Sequence, residues 1–247
     1  MKMHTFIVGI HLNVNMFRLV SLAGTLIDEI LSVKENNSKN ENNYFNKFSS
    51  SIQSDNIFVS FINEEKTQHL IIKPDQFILR KTSFDSNFVI QTEKTLSEFE
   101  LLWEKTDEII KFPAIRRIGL VAEYRFDEKK PDSAANDLIK SLLVIKPPVY
   151  SGRFQLTYED RKLKEDGSIA NHEDDDFWNT IYSFYLSNSD ENPEEGKINA
   201  NIDVQKYYNP AKSNPLGELH KVKKQFITEK SRFKQKLIEL GLVTYDQ

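Results

Sequence analysis

The polar side chains best placed to bind a ligand lie on two predicted strands in the second half of the chain. One strand alternates apolar residues with four hydrogen-bonding side chains, Asn199, Asn201, Asp203 and Gln205. The other, at mid-chain, carries three charged side chains on its polar face, Arg117, Glu123 and Arg125. Alternate residues of a strand share one face, so each set projects from one side of a sheet. Such a surface could bind a peptide, an RNA or a small molecule, although any solvent-facing antiparallel sheet shows the same alternation.

The last predicted helix carries a second candidate surface, a run of basic side chains. The run comprises Lys221, Lys223, Lys224, Lys230, Arg232, Lys234 and Lys236. Lysines along one helix can contact successive phosphates of a nucleic acid, and Lys223, Lys224 and Lys230 are the residues we assign to that contact. Tyr207 and Tyr208, just before the helix, could stack on bases. The same lysines are equally typical of the wet side of a helix packed on a sheet, and strand-end aromatic residues commonly cover a core edge.

Two short segments have the residue types of a metal site but lack its spacing. His172 precedes four acidic residues, 173–176, whose carboxylates could hold a divalent cation. They lack the glycine and alternate spacing of a calcium loop, so a solvated charge run explains them as well. Glu128-Lys129-Lys130 has the Glu-x-Lys form of metal-dependent nucleases, without a partner aspartate on a preceding hairpin strand. We predict no metal, cofactor or catalytic residue, and keep a metal-dependent hydrolase using Asp174 and Asp176 as an alternative.

Composition restricts the class of protein. The 247 residues carry a formal net charge of −4, which disfavours a main role in coating nucleic acid or an anionic membrane. There is no cysteine, which excludes disulfides, thiolate metal ligands and cysteine nucleophiles. No apolar run has the length of a membrane-spanning helix, and the first residues do not resemble a signal peptide. We expect a cytoplasmic protein with no membrane partner, and the lack of glycine-rich phosphate loops disfavours nucleotide binding.

The elements that position these residues repeat once along the chain. The mid-chain strand has one polar face, and residues 134–143 have the apolar spacing of a short helix. A similar strand and helix open the chain at residues 6–14 and 19–33. Each pair is followed by an antiparallel meander and a longer helix. We predict an α+β fold with an internal duplication, residues 1–112 and 113–247, in which the two repeats join into one curved, saddle-like sheet with helices on one face.

Four local predictions accompany this fold. Residues 34–54 are rich in Asn, Ser and Lys, which predicts a long, mobile loop. Thr95-x-x-Glu98 is a capping-box signature that predicts the start of the helix closing the first repeat. Residues 187–196 read as a polar connection between two strands. Asn214 followed by Pro215 predicts the beginning of the last helix.

The mid-chain strand also carries a family resemblance. Residues 115–120 read Ile-Arg-Arg-Ile-Gly-Leu, and Ala-Glu-Tyr follows at 122–124. This text resembles the mid-chain arginine-x-glycine-leucine-arginine-tyrosine strand of a sporadically distributed, uncharacterised bacterial protein family of similar length, although Val121 stands where that family usually has arginine. An aromatic-rich helix before the strand and the segments 202–204 and 219–228 resemble the family too. The resemblance implies an intracellular bacterial protein with no established activity, encoded near mobile or defence genes.

These observations favour a non-catalytic binding or interaction protein. It would present its sheet face and helix surfaces to another protein or to a second copy of itself, and the resemblance adds a role as an accessory component of a bacterial defence or mobile-element system. The alternative is a nucleic-acid-associated subunit that uses the basic last helix and the polar sheet face. Binding of nucleic acid would weaken as salt is added, which distinguishes the two.

Overall fold

The computed structural model describes residues 2–34, 43–53, 56–83, 90–125, 155–161, 164, 166–171, 173–189 and 192–239, with side chains except at 186–198. Over these residues the chain is an α+β fold with three helices and one nine-stranded antiparallel sheet that does not close. The strands are β1 (Lys2–Leu12), β2 (Lys47–Gln53), β3 (Asn56–Ile62), β4 (Gln68–Lys73), β5 (Gln76–Thr82), β6 (Ile115–Arg125), β7 (Gln155–Arg161), β8 (Phe177–Ser189) and β9 (Asn192–Lys212). The helices are α1 (Arg18–Ser32), α2 (Thr92–Ile110) and α3 (Pro215–Glu239).

The sheet is assembled from two contiguous halves that meet in its middle. Its strand order is β2-β3-β4-β5-β1-β6-β9-β8-β7, so the first half of the chain supplies β1 to β5 and the second half supplies the rest. The halves join through the antiparallel pair of β1 and β6, in which Gly9 lies directly opposite Gly119. Each half places its first strand at this join and its later strands farther out. The division into repeats at residue 112 stays a prediction.

All three described helices pack on the same face of the sheet, which we call the helix face. Phe6 of β1 contacts Phe226 of α3, with ring centroids 5.5 Å apart. Phe77 of β5 meets Phe99 of α2 edge to face, at 5.2 Å. The buried side of α1, which includes Leu26, belongs to the same apolar core. The predicted arrangement, one sheet with helices on one face, is confirmed. The opposite surface, the open face, carries the odd-numbered residues of β1 from Thr5 onward and of β6 from Arg117 onward.

A buried ion pair joins α2 to β5 on the helix face, and it includes the glutamate of the predicted capping box. The helix begins at Thr92, after Gln91, which makes no side-chain capping bond. The Thr95 hydroxyl donates back to the Gln91 carbonyl at 3.0 Å, one turn inside the helix. Glu98 accepts from the Lys81 ammonium through both carboxylate oxygens, at 3.2 and 2.9 Å. The capping-box prediction was therefore wrong, because the helix begins at Thr92 and the Glu98 carboxylate pairs with Lys81 of β5 and, at 3.8 Å, with Lys94.

Two other local predictions were wrong in extent. The predicted loop 34–54 contains β2, because Lys47–Gln53 finds a regular antiparallel partner in β3. Just before it, the side chains of Tyr44 and Phe45 are buried in the core. The predicted connection 187–196 is much shorter, since β8 continues to Ser189 and β9 begins at Asn192.

The predicted beginning of the last helix is confirmed. The Asn214 side-chain oxygen accepts from the Gly217 amide at 3.2 Å, and Pro215 is the first residue of α3. The predicted helix over 134–143 lies outside the described residues.

Candidate ligand-binding face

Strand register brings the two predicted polar sets together on the open face. β6 and β9 are antiparallel neighbours in the second half of the sheet. Their cross-strand pairs are Arg117 with Tyr207, Gly119 with Gln205, Val121 with Asp203, Glu123 with Asn201, and Arg125 with Asn199. All seven predicted residues of these two strands therefore share one surface, and a ligand bound there stays a prediction.

Two glycines leave a depression without side chains at the centre of this face. Gly9 of β1 and Gly119 of β6 are paired, with Ile78 of β5 beside one and Gln205 of β9 beside the other. Strands lie about 4.8 Å apart, so the backbones of β5 and β9 are about 14 Å apart. The side chains of Asp203 and Gln205 extend into this width, to 3.7 and 3.8 Å from the position of a β-carbon on Gly119. A β-carbon added to Gly9 would lie 3.6 Å from Ile78 Cγ1, which is ordinary contact. The backbone therefore does not exclude a side chain, and the glycines leave space that a ligand can occupy.

A directional chain of hydrogen bonds runs along one side of the depression. An arginine only donates, so Arg117 Nη1 donates to the Tyr207 hydroxyl at 3.0 Å. That hydroxyl donates to Gln205 Oε1 at 2.9 Å. The Gln205 amide in turn donates to Asp203 Oδ2 at 2.6 Å. The chain fixes the orientation of the Gln205 amide and ends on a carboxylate.

The other end of the chain rests on a neutral histidine. Arg117 Nη2 hydrogen-bonds His11 Nε2, and since the guanidinium has no acceptor, the imidazole must accept there and carry its proton on Nδ1. Burial, followed by the charge of Arg117, lowers the pKa of His11 to about 4. The imidazole is therefore uncharged at neutral pH. The positive charge in this part of the depression is therefore that of Arg117, whose guanidinium is held between His11 of β1 and Tyr207 of β9.

The carboxylate of Asp203 faces the depression with one oxygen unused. Its Oδ1 lies 3.7 Å from the position of a β-carbon on Gly119. This oxygen is hidden from water and has no hydrogen-bond partner among the described residues. Burial raises the pKa of Asp203 to about 6, although the bond from Gln205 and the charge of Arg117 act in the opposite direction. At pH 7 the group is mainly an ionised carboxylate whose Oδ1 lacks a donor among the described residues.

Two more acceptor oxygens of the open face, one on β9 and one opposite Gln205 on β8, also lack a donor among the described residues. The side-chain carbonyls of Asn201 on β9 and Asn179 on β8 are hidden from water, with no donor among the described residues. The Asn179 amide nitrogen is already engaged, because it donates to Glu159 of β7. A buried acceptor left unsatisfied costs about 1–3 kcal/mol. Because these oxygens are covered, an N–H donor of a ligand reaches them only after the side chains over them move, and it then recovers that cost.

Stacked aromatic and cationic groups stiffen one end of the face. The rings of Tyr207 and Phe177 are parallel, with centroids 4.6 Å apart. Arg117 lies 5.5 Å from the Tyr207 ring and Arg161 of β7 lies 5.6 Å from the Phe177 ring. Tyr207 is therefore occupied by protein contacts, and Tyr208 is buried at 1% exposure. Neither tyrosine presents a free ring for stacking on bases.

Sequence reasoning missed several residues of the site. His11 and Gly9 contribute to it, yet no local pattern marks them for that role. Tyr207 was considered only for stacking on bases, and its hydroxyl links Arg117 to Gln205 instead. His11 and Gly9 lie about a hundred positions from their partners, and only the pairing of β1 with β6 brings them there. The signal that could have located them is the glycine in the middle of each of two strands predicted to be equivalent, since an interior strand glycine often marks close approach of another group.

The three lysines of α3 assigned to phosphate contact differ in their environment. Lys223 hydrogen-bonds Glu93 of α2. Lys230 is half-buried, and its pKa is lowered first by burial and then by Lys234. Lys224 remains exposed. Of the three lysines assigned to phosphate contact, only this one has its ammonium fully available.

The acidic residues 173–176 are engaged within their own part of the fold. Asp175 accepts from the Asn171 amide at 2.6 Å and pairs with Lys164 at 2.7 Å, and these bonds lower the pKa of its carboxyl. Asp176 pairs with Lys206. Over the described part of the chain, no three His, Cys, Asp or Glu side chains are grouped as metal ligands. His172 and residues 128–130 lie outside the described residues.

Comparison with protein families and with curated proteins assigns no function to the site. No protein-family profile matches the chain, and no curated protein matches it. The resemblance to an uncharacterised bacterial family therefore stays a prediction. Among the helices of the described residues, none is both long and apolar enough to cross a membrane.

Proposed function

We propose that the protein is a non-catalytic binding protein whose open face holds a peptide segment of another protein over the Gly9–Gly119 depression. The observation that carries this proposal is the set of three hidden acceptor oxygens, on Asp203, Asn201 and Asn179, with no donor among the described residues. Acceptors without donors call for a ligand rich in N–H groups. A peptide supplies such groups along its backbone and, at higher strength, on a lysine or arginine side chain.

The charge of the face favours a peptide over a nucleic acid. The described residues of the open face from β5 to β7 include four arginines, Arg80, Arg117, Arg125 and Arg161, and three carboxylates, Glu123, Glu159 and Asp203. A phosphate backbone requires a strong positive field, which interspersed charges of both signs do not provide. The ion pair of Lys223 with Glu93 and the partial burial of Lys230 also disfavour a nucleic acid along α3. A segment of mixed charge with one basic residue near Asp203 fits this pattern.

The geometry also favours binding over catalysis. Asp203 is held by Gln205, and Arg117 is held by His11 and Tyr207. A nucleophile with an adjacent general base is not part of this network. These side chains are fixed by one another before a ligand arrives, which reduces the entropy lost on binding. Polar side chains held in fixed positions beside the Gly9–Gly119 pair are suited to recognition.

The proposal is tested by selecting peptides from a random phage-displayed library on the wild-type protein and measuring their dissociation constants by calorimetry. We expect basic residues to be enriched and binding to weaken at least about tenfold in Gly119→Leu, which fills the depression. Gly24→Leu is the matched control, because Gly24 is exposed on α1 and a β-carbon there meets nothing within 4 Å. It should bind as wild type does.

Two results would overturn the proposal. One is a set of selected peptides whose affinity is the same for wild type and Gly119→Leu, with both variants folded by circular dichroism. The other is salt-sensitive binding of a random single-stranded RNA that Gly119→Leu abolishes, which would assign the face to nucleic acid.

A further inference from the structure

The sheet has an accessible edge at β2 that carries apolar side chains. Among the described strands, β2 pairs only with β3 and ends the sheet. Phe48 is 52% exposed and Ile52 is 54% exposed. Both project to the helix face, since Phe48 lies opposite the buried Phe61 in the register. The apolar core of the helix face therefore extends to the edge strand, where its last two side chains are half exposed to solvent.

This edge lacks the features that usually prevent strands from pairing with other chains. Edge strands are normally protected by charges, proline or a bulge. β2 contains one charged residue, Lys47, no proline and no break in its register with β3. The opposite edge, β7, is protected, because it carries Glu159, Asp160 and Arg161 within seven residues. Of the two edge strands, β7 is therefore protected against pairing with another chain, and β2 is not.

The sequence of β2 is self-complementary about its central residue. Reading outward from Ser50, serines flank it at 49 and 51, large apolar residues follow at 48 and 52, and the long polar residues Lys47 and Gln53 end the strand. A strand with this symmetry, paired antiparallel with a copy of itself, places each side chain opposite one of its own kind. Symmetric homodimers require such a self-complementary surface.

We propose that β2 pairs antiparallel with β2 of a second copy of this chain, with the two Ser50 residues opposite each other. Phe48 of each copy then lies against Ile52 of the other, and the four side chains extend the apolar core of both helix faces across the join. The two open sheets become one continuous sheet, and the depressions at Gly9–Gly119 lie on the same side of it. Strand pairing over seven residues is a small contact, so the dimer is reversible and depends on concentration.

The first test compares the mass in solution of wild type, Phe48→Lys and Phe17→Lys by sedimentation velocity over a hundredfold range of concentration. Wild type is expected to shift from monomer towards dimer as concentration rises. Phe48→Lys should remain a monomer, because two lysines would enter the joined core. Phe17 is 75% exposed and lies outside β2, so Phe17→Lys loses the same ring and gains the same charge while dimerising as wild type does.

The second test fixes the register with a disulfide, since the natural chain has no cysteine. Opposite residues of antiparallel strands have α-carbons about 4.5–5.5 Å apart, inside the range that a disulfide spans. Ser50→Cys should therefore form a covalent dimer under mild oxidation. Gln53→Cys is the matched control: in the proposed register the two copies of position 53 are about 20 Å apart, so the dimer should not be cross-linked.

Either of two results would overturn the pairing. A wild-type protein that stays monomeric over the whole concentration range contradicts it. So does equal cross-linking of the Ser50→Cys and Gln53→Cys variants, which would mean random collision. Neither result bears on peptide binding at the open face, since four strands separate β2 from β6, which carries Gly119, and Gly119 can be tested in a monomer.

Discussion

Filling the central depression should strengthen the fold while it weakens binding. Glycine inside a strand is less stable than alanine by about 0.5–1 kcal/mol, because the unfolded chain loses more freedom. At Gly9 and Gly119 an added β-carbon would make contacts of 3.6 Å and longer, and neither backbone adopts a left-handed conformation. The double variant Gly9→Ala, Gly119→Ala should therefore gain about 1–2 kcal/mol in the free energy of unfolding.

This gain is large enough to measure. For a chain of this size, 1 kcal/mol corresponds to about 2–4 °C in melting temperature, so the double variant should melt about 2–8 °C above wild type. Urea titration followed by circular dichroism gives the free energy directly. The control Gly24→Ala, in the exposed part of α1, should also gain stability but leave peptide affinity unchanged. A protein whose residues are selected only for stability would not keep these glycines.

The result that would refute this reasoning is a loss of stability in the double variant. It would show that the glycines are needed for close approach of another part of the protein, and that no space is open to a ligand. A gain in stability with unchanged peptide affinity would keep the structural argument and contradict the functional one. The two measurements therefore separate the fold from the proposed binding.

Three further predictions concern charged groups. Burial raises the pKa of Asp203 from 3.8 to about 6 in the folded protein, so ionisation of this carboxyl lowers the stability of wild type as the pH rises between these two values. Asp203→Asn should therefore be more stable than wild type by about 2–3 kcal/mol above pH 7. In urea titrations this difference should vanish near pH 4. Arg117→Gln should raise the pKa of His11 above about 4 in an NMR titration, yet leave it below 6.5, since burial is the larger cause and remains. Lys81→Met should cost up to about 3–5 kcal/mol, because the buried Glu98 carboxylate then keeps only the half-exposed Lys94, at 3.8 Å. Lys81→Met with Glu98→Leu should recover most of that loss, and equal losses in the single and double variants would contradict the pairing.

The sequence predicted which side chains share a face, because alternation is a local property of a strand. Asn201 and Asp203 follow from period two alone, and Pro215 follows from helix-start chemistry. Both kinds of signal depend only on near neighbours along the chain. The residues of β9 that share one face could therefore be predicted from the sequence.

Other features escaped prediction because they depend on distant parts of the chain. β2 is rich in serine and looks like a loop, and it becomes a strand through its partner β3. Glu98 matched a capping box, but its partner is Lys81 on another element. The contact of His11 with Arg117 requires the non-local pairing of β1 with β6, which no window of neighbouring residues encodes. The polar residues of the open face could be predicted from the sequence, whereas the depression and the chain of hydrogen bonds could not.

The most direct test of the central claim is an amide chemical-shift titration of the isotope-labelled protein with a selected basic peptide. If the peptide lies over the depression, the amide signals of Gly9 and Gly119 should shift and saturate together, with affinity about tenfold weaker at pH 5 than at pH 7, as Asp203 becomes protonated. Asp203→Asn should remove that dependence on pH. Shifts confined to α3, with the two glycine signals unmoved at saturation, would contradict the assignment of the open face as the binding surface.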